Sequence, residues 1–241
     1  RHRLHNVFRG FLLDQARQDL APAVRKQVLD RAADYCREDG RCADALDYAL
    51  DGGNAALAAD ILEQSSPVFV RDLGYHGRYL AWVRRLHAAG EEGGWETNYW
   101  YIWALAFRRR YEQARAELAR FAERLELAVK GQDRDRARLA TILRRIEVIR
   151  IVIDISADHL PAVRRNAEQW LAGTDRGMGH VAKAGADSAF EIATVSCAAG
   201  YRDANAGELK AARAMVRLAA VYSAQADNAY GLGWVAAIDA Q

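Results

Sequence analysis

The densest chemistry in the sequence is aromatic. Trp95, Tyr99 and Trp103 stand at i, i+4 and i+8, with Trp100 and Phe107 on an adjacent face and Arg108 directly after. Rings on nearly all sides of one helical segment exceed what a single packing seam requires. They can form a stacking wall for a sugar, an aromatic inducer or a peptide. They can equally fill the gaps between stacked helices as core, and spacing alone leaves both readings open. Trp95, Tyr99, Trp100, Trp103, Phe107 and Arg108 are therefore the candidate ligand-binding residues.

Other reactive types are sparser. Cys36 and Cys42 lie six residues apart and Cys197 is remote, with no histidine pair nearby. A zinc site needs closely paired Cys or His ligands with two more elsewhere, so the three thiols read as small buried hydrophobes. Glu91-Glu92 and the pair Asp133, Asp135 fall in polar, turn-like surroundings and read as solvated loop, whereas acid–base work would need one carboxylate of a pair buried. Arg108-Arg109-Arg110 has the planar donors to grip a phosphate or an acidic patch, and cations also suit a helix C-terminus. Gly173 to Gly185 reads as a glycine-rich inter-helix loop, or a lid. No catalytic and no metal-binding residue is assigned, and the chain is not expected to be an enzyme.

The elements that position these residues are helices. Of 241 residues 51% are hydrophobic, which excludes disorder, and only three are proline. Leu139, Ile142, Ile146, Ile149 and Ile153 recur at steps of three and four, one face of a helix, with Arg138, Arg145 and Glu147 elsewhere and Arg150 able to pair with Asp154. Tyr111, Ala114, Leu118, Phe121 and Leu125 repeat that stagger. Pro22 suits a first turn, Gly40 a left-handed exit, and Asn54 an N-cap. Pro67 is expected to open a short helix to Leu73. Further helices are expected over 42–50, 54–62, 77–88, 96–109, 133–155, 160–171, 180–199, 206–224 and 228–240.

A signature recurs as Gly40-x-Cys42-x-x-Ala45, Arg109-x-Tyr111-x-x-Ala114 and Gly207-x-Leu209-x-x-Ala212. A tight turn, an apolar anchor and a small residue at a close helix approach resemble half of a tetratricopeptide repeat, although the spacing is irregular. The expected fold is all-α, a solenoid of TPR-like antiparallel helix pairs in a right-handed superhelix. The formal net charge of +2 is spread along helices, so no nucleic-acid stripe stands out. An odd cysteine count points to a reducing compartment, and the richest apolar stretch, Ile146 to Ile155, is too short and too charged for a membrane span. A cytoplasmic protein with no membrane contact is expected. The opening Arg1-His2-Arg3 and the alanine-rich end at Gln241 suggest a piece of something longer.

Arg3-Leu4-His5-Asn6-Val7-Phe8-Arg9-Gly10-Phe11-Leu12 resembles the close of the winged-helix element in the large ATP-dependent LuxR-family transcriptional regulators, to which the maltose-regulon activator belongs. Leu29-Asp30-Arg31-Ala32-Ala33-Asp34-Tyr35, Ala43-Asp44-Ala45-Leu46-Asp47-Tyr48-Ala49-Leu50, Gly53-Asn54 and Ala58-Ala59-Asp60-Ile61-Leu62 follow in the order of that family's helical passage. Tyr79-Leu80-Ala81-Trp82-Val83-Arg84-Arg85-Leu86 is similar to its next segment, without the family's proline. The resemblance implies three parts: residues 1–20 as the end of a winged-helix/ATPase module, 21–130 as the first part of the helical repeat region, and 131–241 as further TPR-like repeats. It implies a sensor segment that reads a small-molecule inducer or a protein partner. ATP would belong to an upstream module and DNA to a downstream helix-turn-helix. No phosphate-binding Gly-x-x-x-x-Gly-Lys-Ser/Thr loop stands in this sequence, so no cofactor is expected here.

Overall fold

The computed structural model describes residues 6–130, 136–173 and 186–240, and its regular structure there is helical throughout. The helices are α1 (Asn6–Asp19), α2 (Pro22–Glu38), α3 (Cys42–Asp51), α4 (Ala55–Pro67), α5 (His76–Ala88), α6 (Trp95–Phe107), α7 (Tyr111–Lys130), α8 (Arg136–Ser156), α9 (Leu160–Ala172), α10 (Ala186–Asn205), α11 (Leu209–Gln225) and α12 (Ala229–Asp239). None of these is long and apolar enough to cross a membrane. Arg3, Leu4 and His5, the acidic pair Asp133 and Asp135, and the glycine-rich segment beyond Gly173 lie outside the described residues.

One corner joins most of these helices, and it explains the recurring signature. After α2 the Gly40 backbone turns left-handed (φ 72°), the Gly40 N–H reaches the Arg37 carbonyl and the Arg41 N–H reaches the Cys36 carbonyl. These are the paired bonds of a Schellman turn, which satisfy the last carbonyls of a helix. The next residue but one starts the following helix. The same corner is built at Gly53, Arg109, Asp158, Gly207 and Asp227, all with positive φ. At five of the six, the fourth residue of the incoming helix is small or β-branched and buried: Ala45, Ala58, Ala114, Val163 and Ala212.

Glycine adopts a left-handed φ freely, whereas a side chain there is strained. Asp158→Gly is therefore expected to raise stability by about 0.5–1 kcal/mol. Gly207→Ala, at a corner with open space around it, is expected to lower stability by about 1 kcal/mol through backbone strain alone. Thermal melts of the two variants test both signs. Equal shifts in one direction would show that the corners do not depend on φ.

Pro67 does not open a helix. It ends α4, and the chain continues as a π-helical turn, Val68–Asp72. Proline lacks the N–H for the ordinary bond one turn back, so the winding widens where that bond is missing. Burial of Phe69 and Val70 (each 1% exposed) holds the widened turn in place. Arg150 pairs with Glu147 (2.8 Å), not with Asp154, whose near neighbour is His159.

The chain divides into two compact units. The first comprises residues 1–69 and 77–98, the second 70–76 and 99–241, so α6 contributes its first turn to one and the rest to the other. In the first unit Leu46, Ile61, Leu62, Tyr79, Trp82 and Leu86 form the core. The Tyr79 hydroxyl donates to the Thr97 carbonyl (2.9 Å) and meets the Ser66 hydroxyl (2.6 Å). Asp47 receives the Trp82 indole N–H (2.6 Å) and pairs with Arg78. The Glu63 carboxylate caps the start of α6, accepting from the Glu96 and Thr97 N–H groups and the Thr97 hydroxyl. It can do so because Gly94 has no Cβ: one there would lie 2.2 Å from the carboxylate.

In the second unit each helix from α7 to α12 packs on the next, and α10 also touches α8 and α12. The expected stripes are buried: Leu139, Ile142, Ile146, Ile149 and Ile153 on α8, and Ala114, Leu118, Phe121 and Leu125 on α7. Helix α8 is buried on a second face too, through Val148 and Ile151. Arg145, off the apolar stripe, is buried too: its Nε donates to Glu191 of α10 (2.8 Å) and its guanidinium lies 4.1 Å from the Tyr99 ring centroid.

Candidate functional site

The second unit holds a partly open cavity of about 550 Å³, within the range typical of small-molecule sites. Six helices and the corner after α6 supply its wall, α11 through Ser223 alone. Helix α6 gives Trp103 and Phe107, the corner after it Arg109, and α7 its first residue, Tyr111. Helix α8 adds Val152, Ile155 and Ser156. Helix α10, at the centre of the unit, gives the longest stretch, from Phe190 to Tyr201. The last side is made by Asn228, which caps α12, and by Trp234 and Ile238 one and two turns along it.

The aromatic wall is pre-assembled. Phe107 stacks on Trp103 (centroids 5.3 Å apart, planes at 29°), and Phe190 meets Trp103 edge-on at 5.2 Å. Trp100 and Tyr99 continue the run behind Trp103 at 6.3 and then 5.3 Å. On the other side His76 stacks on Phe107 at 4.5 Å. Such offset and edge geometries are the preferred ones for rings. The Trp103 indole N–H is buried and has no hydrogen-bond partner, an arrangement that native structures rarely leave without a reason.

The six candidate residues separate into three environments. Trp103 (1% exposed) and Phe107 (half-buried) line the cavity. Tyr99 and Trp100 are fully buried behind them as core. Trp95 opens α6 in the first unit, half-buried, and Arg108 is exposed. Neither lines the cavity, where Arg109 stands instead. Sequence spacing did not single out Cys197, Thr194, Tyr201, Asn228 or Trp234. They come from helices far along the chain, and only the packing of α10 against α8 and α12 brings them to Trp103.

Of the cysteines, Cys36 is buried, whereas Cys42 and Cys197 are partly exposed, a departure from the all-buried expectation. Among the described residues no three His, Cys, Asp or Glu side chains gather as metal ligands. Burial pushes the Cys197 thiol up to about 11. Only the thiolate attacks electrophiles. In a chain carrying Cys36→Ala and Cys42→Ala, Cys197 is therefore expected to react with iodoacetamide at pH 8 about a hundredfold more slowly than a free cysteine. The rate should climb steadily with pH. A rate like that of a free thiol would mean the wall is open to water.

His76 gives the site an acid limit. Its Nε2–H donates to the Val70 carbonyl (3.1 Å). Burial lowers its pKa below the ordinary 6.5, the bond to Val70 opposes this, and the charge of Arg108 adds to the lowering. The folded chain thus holds His76 neutral, while the unfolded chain protonates it near 6.5. Stability from this residue is complete above about pH 6.5 and is lost as pH falls through the lowered value. His76→Phe, which keeps the stack on Phe107 and removes the titration, is expected to shrink the fall in Tm between about pH 7.5 and 5.5. An unchanged fall would assign it elsewhere.

No protein-family model, curated protein or solved structure matches this chain.

Proposed function

We propose that this chain is the sensor segment of an ATP-dependent LuxR-type transcriptional regulator, binding a small-molecule inducer in the cavity of its second unit. The observation that carries the reading is the partly open, ring-lined cavity built on the aromatic helix α6. Its support is the order of matching segments over residues 3–62 and the succession of helices that pack on their neighbours. Those helices, joined by one repeated corner, fit TPR-like helix pairs in a right-handed solenoid.

On this reading the segment works in the cytoplasm, touches no membrane and performs no catalysis. ATP and DNA are handled by flanking modules, and no residue of this chain is assigned to either. An inducer acts by binding one packing of helices more tightly than another, because a ligand shifts an equilibrium only by its differential affinity. The coding sequence on both sides tests the proposal. A phosphate-binding loop upstream and a helix-turn-helix downstream are the expected result; a gene with neither overturns it.

A second reading, a helical scaffold for a protein partner, draws on α2, where Val24, Val28 and Tyr35 are 46%, 52% and 61% exposed. Large exposed apolar side chains on one helix suit protein contact. Under that reading charged substitutions on α2 abolish function and substitutions in the cavity do not.

A further inference from the structure

We infer that the cavity takes a flat aromatic molecule bearing one anionic or strongly accepting group, such as an aromatic carboxylate, rather than a sugar or a cation. This deepens the sensor reading and rests on it. The first ground is charge. Among the described residues the wall carries one charged side chain, Arg109, and no carboxylate. A cation entering a cavity without a carboxylate meets a desolvation cost that ring faces offset only in part, and the charge of Arg109 repels it. An anion finds a guanidinium whose two-pronged geometry fits a carboxylate. Arg109 is also fixed at its root: its backbone is left-handed (φ 59°) and its N–H is bound to the Ala106 carbonyl (2.9 Å).

The second ground is the state of the polar groups. The Thr194 hydroxyl donates to the Phe190 carbonyl (2.8 Å), and the Ser156 hydroxyl to the Val152 carbonyl (2.7 Å). The Asn228 Oδ1 accepts from the Gly231 N–H (3.1 Å). These three side chains hold local bonds; Tyr111, Tyr201 and Ser223 supply the wall's other hydroxyls, fewer than a sugar would bury. The Trp103 N–H is a buried donor without a partner, which an acceptor on a ligand reaches once the surrounding rings give way. Beside it, Phe107, Phe190 and Trp234 line the same cavity, an aromatic wall that suits a ring.

The test uses 2-naphthoate, 2-naphthamide, 2-naphthylmethylamine and the neutral trisaccharide raffinose on the whole chain. Affinity is read by tryptophan fluorescence, and occupancy by protection of Cys197 from iodoacetamide. Naphthoate is expected to bind at least about tenfold more tightly than the amine. Arg109→Gln, an exposed position that should leave the fold intact, is expected to erase most of the preference for naphthoate over naphthamide. Trp103→Phe, which keeps a ring but removes the donor, is expected to weaken both. If raffinose or the amine protects Cys197 as well as naphthoate does, the ligand class falls and the sensor reading stands. If none of the four binds or protects, the cavity is not the sensing site and both fall.

Discussion

A Glu191→Ala chain is expected to lose about 3–5 kcal/mol of stability, enough to leave the second unit largely unfolded near physiological temperature. Glu191 and Arg145 are each about 9% exposed in their side chains and meet at 2.8 Å between α10 and α8. Removing the carboxylate takes the charge partner at 2.8 Å from a buried guanidinium, and the cation–ring contact with Tyr99 contributes only about 0.5–2 kcal/mol against that loss. The pair itself need not be stabilising, since apolar side chains of similar volume often replace a buried ion pair without loss. A chain carrying both Arg145→Met and Glu191→Leu is therefore expected to melt within about 1 kcal/mol of the original. Denaturant titrations of the two chains decide the matter: equal losses would mean the position, not the stranded charge, is what counts.

Trp103→Ala is the second large effect, about 3–5 kcal/mol. Trp103 is 1% exposed and contacts Trp100, Phe107 and Phe190. Its removal takes away transfer energy and joins a new void to the existing cavity, which packed helices close only in part. Loss of secondary-structure signal on heating should come earlier while the cold spectrum stays helical. A melting point unchanged by the truncation would show that the cavity collapses around the gap and that the ring is not needed to hold it open.

The sequence discloses elements whose cause is local and hides those whose cause is distant. The α7 and α8 stripes, Pro22 at a first turn and the Asn54 cap, whose Oδ1 accepts from the Leu57 N–H, each depend on a few neighbouring residues. The corner at Gly40 shows for the same reason. The corners at Asp158 and Asp227 do not, because aspartate, though it tolerates left-handed backbone better than most residues, signals it far more weakly than glycine. Pro67 misled because proline suits a helix start by its own geometry, whereas burial of Phe69 and Val70 kept the chain wound past it. Arg145 and Glu191 are both plausible surface residues one at a time, and only the contact of α8 with α10 puts them inside. The aromatic run around Trp103 is visible as a run. Its division into cavity wall and core is set by α10 and α12, which no spacing within α6 encodes. Likewise α6 has no breaker between Asn98 and Tyr99, so nothing in the letters marks where one compact unit gives way to the other.

The repeated corner has a consequence for how such a chain can change over generations. Its two hydrogen bonds run from backbone to backbone, so nearly any side chain can occupy the residues that make them. Only the left-handed position and, at five of the six corners, the buried small or β-branched residue five places on are restricted. A helix can then be duplicated, lost or exchanged at a corner without rebuilding the joint, and point substitution can erase the likeness between one helix pair and the next while the geometry persists. Descent in a chain of this kind is written in its dihedral angles longer than in its letters.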